Sequence, residues 1–260
     1  MPPPRRPARN LPETLFHWEN GLKLTEADLA VDFRRRQPRA FISHAHADHI
    51  ARHEYALCTP ETSALYQFRL GPRRTLDMPY REPIQWGGLR LTTYPAGHCL
   101  GSAMLLAEDA HQSLLYTGDF KLAPSATAEQ AELPKADILV IESTYGTPQY
   151  RLPPRRQTLD RLFTLVRQTL EDGATPLIVA YVLGKAQEVT RLLTAEGIPV
   201  LQHPKVFEVS QVYEACGVSL GRYARLQGQV TPGWALVVPP GTPPLEPATR
   251  EVRIGVTGWA

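Results

Sequence analysis

The chain reads as two α/β units in tandem, and three observations predict it. Short apolar runs broken by turn residues extend from Leu11 to about Thr144. A passage rich in glycine and proline follows at Tyr145 to Arg156, with Gly146, Pro148, Pro153 and Pro154. Beyond it, helix-spaced segments alternate with apolar runs, the pattern of a smaller α/β domain built on a parallel sheet. The expected division is a disordered tail over residues 1–10, a first domain over 11–147, a second over 148–247, and a return toward the first domain from 248 to 260.

In the first unit, Ala40 to Ser43, Leu89 to Tyr94, Ala103 to Ala107, Ser113 to Thr117 and Ile138 to Ile141 are apolar runs of strand length bounded by turn residues. Glu61 to Leu70 reads as a short helix stopped by Gly71-Pro72. In the second unit, Leu159, Leu162, Phe163, Val166 and Leu170 recur at helical spacing and predict a helix over Gln157 to Leu170, closed by Gly173. Leu177 to Leu183 predicts a buried strand, Lys185 to Leu193 a helix, Pro199 to Gln202 a strand and Glu208 to Ala215 a helix ended at Gly217. Trp234 to Val238 predicts a further strand, and a last one falls near Val252 to Val256 after the loop Pro239 to Pro247.

Composition narrows the class. At 260 residues with 43% hydrophobic and 21% charged side chains, the chain suits a folded globular protein. A net charge of +2 does not by itself announce a nucleic-acid binder, although Arg34-Arg35-Arg36, Arg73-Arg74 and Arg155-Arg156 would suit phosphate contacts. Cys58, Cys99 and Cys216 are odd in number and share no C-x-x-C spacing, which argues for a reducing compartment. No leader precedes the apolar runs, and Leu177 to Leu183 is too short to span a bilayer. A cytoplasmic protein without a membrane partner is expected.

The chemistry concentrates in His44-Ala45-His46-Ala47-Asp48-His49, directly behind Ala40-Phe41-Ile42. Neutral imidazoles two residues apart in a loop can both reach one zinc ion at about 2.0–2.1 Å. Asp48 and His49 follow and can turn toward a second metal. Other apolar runs lead into Pro95-Ala96-Gly97-His98, Thr117-Gly118-Asp119 and Glu142-Ser143-Thr144-Tyr145-Gly146. They offer a third imidazole, a carboxylate placed to bridge two ions, and a further acid. Two zinc ions sharing a water would suit hydrolysis of a phosphate ester. Against these, His53 and Cys99 read as packing residues, His17, His111 and His203 as structural, and Trp18 and Trp86 as core.

In His44-x-His46-x-Asp48-His49, then His98, then Asp119, the chain resembles the metallo-β-lactamase fold hydrolases. Ala96-Gly97-His98-Cys99-Leu100-Gly101-Ser102-Ala103, Glu142 to Gly146 and Val182-Leu183-Gly184-Lys185-Ala186-Gln187-Glu188 are similar to the versions found in their nucleic-acid-processing β-CASP branch, above all the bacterial ligase-associated DNA exonucleases. The resemblance runs from about Leu15 to Trp259. It implies an αββα metallo-β-lactamase domain carrying an inserted β-CASP domain, with Zn2+ at two sites. His44, His46 and His98 would bind one ion, Asp48 and His49 the other, and Asp119 would bridge. Catalysis would rest on Asp48, Asp119 and Glu142, with Glu142 orienting a ligand imidazole. Lys185, opening a helix behind Gly184, would hold a substrate phosphate together with backbone N–H groups.

The sequence also departs from that family. Its members return from the insertion to a Ser-x-His-x-Asp motif and a His-Gly motif, the latter supplying the last ligand of the second zinc. This sequence stops at Gly255-Val256-Thr257-Gly258-Trp259-Ala260. The expectation is a truncated chain, with the metal domain incomplete at its C-terminal end and the second site one ligand short. The function implied is a zinc-dependent DNA exonuclease of repair working beside an ATP-dependent DNA ligase and a helicase. RNA processing by the same branch and a non-catalytic nucleic-acid-binding protein are the alternatives.

Overall fold

The computed structural model describes residues 14–246 and 249–256. The tail expected over residues 1–10 lies outside the described residues. The first unit is a sandwich of two sheets. One sheet has six strands in chain order: β1 (Phe16–Trp18), β2 (Leu22–Leu24), β3 (Leu29–Val31), β4 (Arg39–Phe41), β5 (Tyr55–Cys58) and β6 (Thr75–Asp77). The other comprises β7 (Ile84–Trp86), β8 (Leu89–Pro95), β9 (Ala103–Glu108), β10 (Ser113–Tyr116) and β11 (Ile138–Val140), in order β11-β10-β9-β8-β7.

Alternation along each strand builds the core between them. Leu22, Leu24, Leu29, Phe41 and Leu57 from the first sheet meet Leu89, Leu91, Leu105 and Leu114 from the second in one buried cluster. On β9 the opposite face carries Met104 and Leu106, which pack with Ala96 and Leu115 beneath Phe120 and Ala136. Both faces of this strand are therefore buried, which is why it reads as a continuous apolar run. Helix α1 (Pro60–Leu70) covers the outer face of the first sheet, where Tyr66 packs on Ile42, Ala56 and Cys58. Thr59 caps it by accepting from Thr62 N, and Pro60 stands at its first position.

The second unit comprises α2 (Arg155–Glu171), β12 (Thr175–Val179), α3 (Lys185–Ala195), β13 (Val200–Gln202), α4 (Pro204–Ala215), β14 (Tyr223–Arg225), β15 (Ala235–Val238) and β16 (Glu251–Gly255). Its five strands pair in parallel in the order β14-β13-β15-β12-β16. Ile178, Val200 and Val237 face Val166, Val189 and Leu193 of α2 and α3, while Leu177, Leu201, Leu236 and Val238 face loops on the other side.

Two expectations change here. The segment expected to begin a return at 248 instead supplies β16, hydrogen-bonded along β12 from Thr175↔Glu251 to Val179↔Gly255. Its Ile254 packs into the α2–α3 face, so residues 251–255 extend the second sheet; 257–260 lie outside the described residues. Trp18, read as core, is 73% exposed at the tip of the β1–β2 hairpin, whereas Trp86 is half-buried against the sandwich core. Among the described residues, no helix is long and apolar enough to cross a membrane.

Candidate metal centre

Each predicted ligand sits where a strand of the sandwich ends. Ser43 to His49 follows β4, Ala96 to His98 follows β8, and Thr117 to Asp119 follows β10. The loops are tied together by backbone bonds: Ala103 N donates to Ser43 O at 2.8 Å, and Lys121 N to Ala96 O at 2.8 Å. Gly118 has φ +53°, and a Cβ there would stand 2.7 Å from the Ser43 side chain, so only glycine lets Asp119 approach this closely.

The structure brings His44, His46, His98 and Asp119 together, with one ligand atom of each within 4.8 Å of the others. His44 Nε2 lies 2.9 Å from His46 Nδ1, and His98 Nε2 lies 3.2 Å from it. Asp119 Oδ2 stands 3.8 Å from both His44 Nε2 and His98 Nε2. Its other oxygen, Oδ1, stands 3.5 Å from His49 Nε2, which is 3.8 Å from Asp48 Oδ2. Asp119 thus spans two groups of donors, with Asp48 and His49 forming the second.

Hydrogen-bond directions show what this cluster needs. Ser43 Oγ donates to Asp32 Oδ2 at 2.5 Å, so the Ser43 oxygen is left to accept from His44 Nδ1 at 3.0 Å. His46 Nε2 donates to Leu183 O at 3.1 Å. Those tautomers, assigned from the network, leave bare lone pairs on His44 Nε2 and His46 Nδ1 facing each other. A cation between them resolves the conflict, and the donor set of three imidazoles and a carboxylate fits a metal ion.

Electrostatics agree. Burial, reinforced by the neighbouring imidazoles, drives His44 well below the ordinary histidine range, and burial likewise lowers His46. His98 falls to about 3 through burial and the charges of His46 and His49, with Lys185 and Lys121 adding to it. These rings are neutral ligands at pH 7. Asp119 is pushed up to about 6 by burial, with Glu142, Asp48 and Asp32 adding to the rise against the opposing His49. Burial would lower His49, but its hydrogen bond to Asp32 and the surrounding carboxylates raise it. Carboxylates crowded in this way need positive charge among them.

Asp32 is the residue sequence reasoning missed. It follows β3 with φ +53°. Its Oδ1 accepts from Ser43 N at 2.7 Å, and its Oδ2 accepts from Ser43 Oγ, from His49 Nδ1 at 2.8 Å and from Tyr116 OH at 2.9 Å. It therefore aims Nε2 of His49 inward and fixes the Ser43–His44 relay. The one available signal was an aspartate immediately behind the apolar run Leu29-Ala30-Val31.

Glu142, expected to orient a ligand imidazole, accepts from the backbone and from a hydroxyl. Its Oε1 accepts from Phe120 N at 3.1 Å, and its Oε2 accepts from Thr144 N and Thr144 Oγ1. Among the described residues it holds the chain just after Asp119. Lys185 does open α3, and its Nζ donates to Glu188 Oε2 at 3.2 Å. The backbone N–H groups expected to join it are already committed: Gly184 N to Gln187 Oε1, Lys185 N to Leu183 O and Ala186 N to Tyr181 O.

The remaining expectations for His53, Cys99 and His203 agree with the structure. His53 is buried and accepts from Gln37 N; Cys99 packs with Leu100 and Leu183; His203 caps α4 by accepting from Lys205 N.

A scan against protein-family models matches none. Over 251 residues, 94% of this chain, it is 36% identical to a probable DNA ligase of Opitutus terrae, covering 24% of that protein. Over 146 residues, 55% of this chain, it is 36% identical to endoribonuclease YSH1 of Yarrowia lipolytica, covering 17% of it. The chain thus spans under a quarter of the length of these curated relatives. A solved structure from Enterococcus faecalis V583, of unknown function, superposes with a TM-score of 0.52 at 17% identity, over 84% of this chain and 58% of that one. That last likeness speaks for the fold alone. With the ligand loops in order along the sandwich rim and the parallel-sheet unit beside them, these likenesses are consistent with a member of the β-CASP branch of the metallo-β-lactamase fold family.

Proposed function

We propose that the chain carries the catalytic centre of a zinc-dependent nuclease that hydrolyses phosphodiester bonds in DNA, as an exonuclease acting in repair beside an ATP-dependent DNA ligase and a helicase. The observation that carries the hydrolytic reading is Asp119, whose two oxygens divide between the His44–His98 group and His49. DNA is favoured because the likeness to the probable DNA ligase extends over nearly the whole chain, whereas that to the endoribonuclease covers about half.

His44, His46, His98 and Asp119 would hold one zinc ion, and Asp48, His49 and Asp119 a second. Bound zinc supplies Lewis-acid polarisation of a phosphoryl oxygen and acidifies water. The chain's own residues do the rest. Burial keeps the imidazoles neutral, Asp32 and Ser43 fix which nitrogen each presents, and Glu142 anchors the backbone after Asp119. The second position gathers two carboxylates and one imidazole, a set with fewer nitrogen donors than the first, and it should bind its ion more weakly.

Zinc-loaded protein incubated with labelled single- and double-stranded DNA, and with RNA of matched sequence, tests this. DNA should be degraded, a chelator should stop it, and Asp119→Ala should lower the rate by several orders of magnitude. RNA cut in preference to DNA would move the substrate to the endoribonuclease side. Absence of cleavage by protein shown to hold zinc would overturn the hydrolytic reading.

A further inference from the structure

Beside the metal centre, where the two units meet, three cations converge on one buried carboxylate. Glu188 of α3 is 7% exposed at its side chain. Its Oε1 accepts from Lys121 Nζ at 2.8 Å and from Arg155 Nη2 at 2.8 Å, and its Oε2 accepts from Lys185 Nζ at 3.2 Å. Lys121 belongs to the first unit, two residues after Asp119. Arg155 and Lys185 open α2 and α3 of the second.

One carboxylate cannot neutralise three cations. Each of them gives a single hydrogen bond to Glu188, whereas an ammonium has three donors and a guanidinium five. All three remain partly exposed, at 23%, 32% and 36% of their side chains, so donors can turn toward a ligand. The charges of Lys185 and Lys121 also bear on His98, which places them within electrostatic reach of the first metal position. Holding like charges together at a half-buried seam is costly unless an anion joins them.

We propose that Lys121, Arg155 and Lys185, gathered by Glu188, form a binding site for a nucleic-acid phosphate next to the scissile one. The site fixes the strand against the metal centre by gripping it from both units at once. It takes the place of the helix N-terminus as the phosphate holder, where Gly184 N, Lys185 N and Ala186 N already bond within the chain. This assignment rests on the nucleic-acid reading given above, but its test does not depend on cleavage.

The full chain is loaded with zinc in an Asp48→Ala background, and binding of fluorescein-labelled oligothymidylate is followed by anisotropy across a salt series. Lys121→Met, Arg155→Gln and Lys185→Met should each weaken binding by about tenfold. Each should also reduce the slope of log Kd against log salt by about 0.7. Lys121→Arg should restore both, and circular dichroism should show every variant folded. Oligonucleotides with and without a terminal phosphate tell a terminal from an internal phosphate: dependence on the three cations in either form supports the site. Folded variants that bind with unchanged affinity and salt slope overturn it, even if the parent chain cleaves DNA. Binding that depends on the three cations in a protein that never cleaves would leave the site standing and overturn the nuclease.

Discussion

Asp32 shows how one side chain sets the chemistry of several. It gathers Ser43, His49 and Tyr116, which lie 11, 17 and 84 residues away. The histidine motif was legible because its density has few other uses. Asp32 was not, because a lone aspartate after a strand is the ordinary residue of a turn, and its partners become visible only when β3, β4 and β10 come together. Asp32→Asn keeps the shape and tolerates the positive φ, since asparagine also visits that region. It removes the charge that holds the Nδ1 proton on His49. Zinc affinity of the Asp48–His49 position should fall by about 10- to 100-fold, while the His44–His46–His98 position changes far less. Titration calorimetry resolving the two events checks this, and equal losses at both would show that Asp32 merely supports the fold.

At the scale of elements, the helices and most of the longer apolar strands followed from alternation and spacing, whereas the short strands β1, β2, β3, β5, β6, β7 and β14 did not, and one misreading falls where the two units touch. Leu177 to Leu183 is one apolar run, yet β12 stops at Val179. The remaining residues form the loop that carries Leu183, whose carbonyl accepts from His46 and whose side chain packs with Ala45, Cys99 and Tyr213. The loop's unbroken apolar composition made it look like strand, although Ala180 and Leu183 are buried and Tyr181 is exposed. Gln187 braces it, accepting from Gly184 N and donating to Val182 O.

Gly184 makes the turn possible with φ +85°, and a Cβ there would meet Cys99 Cβ at 3.1 Å and His46 Nε2 at 3.9 Å. Gly197 has φ +77° and open space around it, so it separates backbone strain from contact. Alanine at either position should cost about 1–3 kcal/mol of stability. Only Gly184→Ala should also weaken zinc binding, by pressing on the Leu183–His46 link. Thermal melts and zinc titrations of both variants decide it. Equal zinc affinity in the two would mean the loop does not steer His46.

For the molecule as a whole, the question is what joins the sandwich to the parallel-sheet unit. The seam was not legible in the sequence, because its parts are spread over Ala45, Leu65, Cys99, Leu183, Val209 and Tyr213. Its ionic part is Glu188. Burial disfavours the Glu188 anion, but Lys185, Lys121 and Arg155 outweigh it and hold the carboxyl at about 2, against an ordinary 4.5. A depressed carboxyl stabilises the fold above its unfolded pKa, and that contribution is lost as pH falls toward the folded one. The difference corresponds to about 3 kcal/mol above pH 4.5, of which about 2 kcal/mol is gone by pH 3. Glu188→Gln, which leaves three cations without their anion, should therefore lower stability by about 3 kcal/mol at pH 7 and by much less at pH 3. Urea unfolding of both proteins at the two pH values measures this. A gap that stays constant with pH would mean that Glu188 acts by packing, and that the charge between the two units does not hold them together.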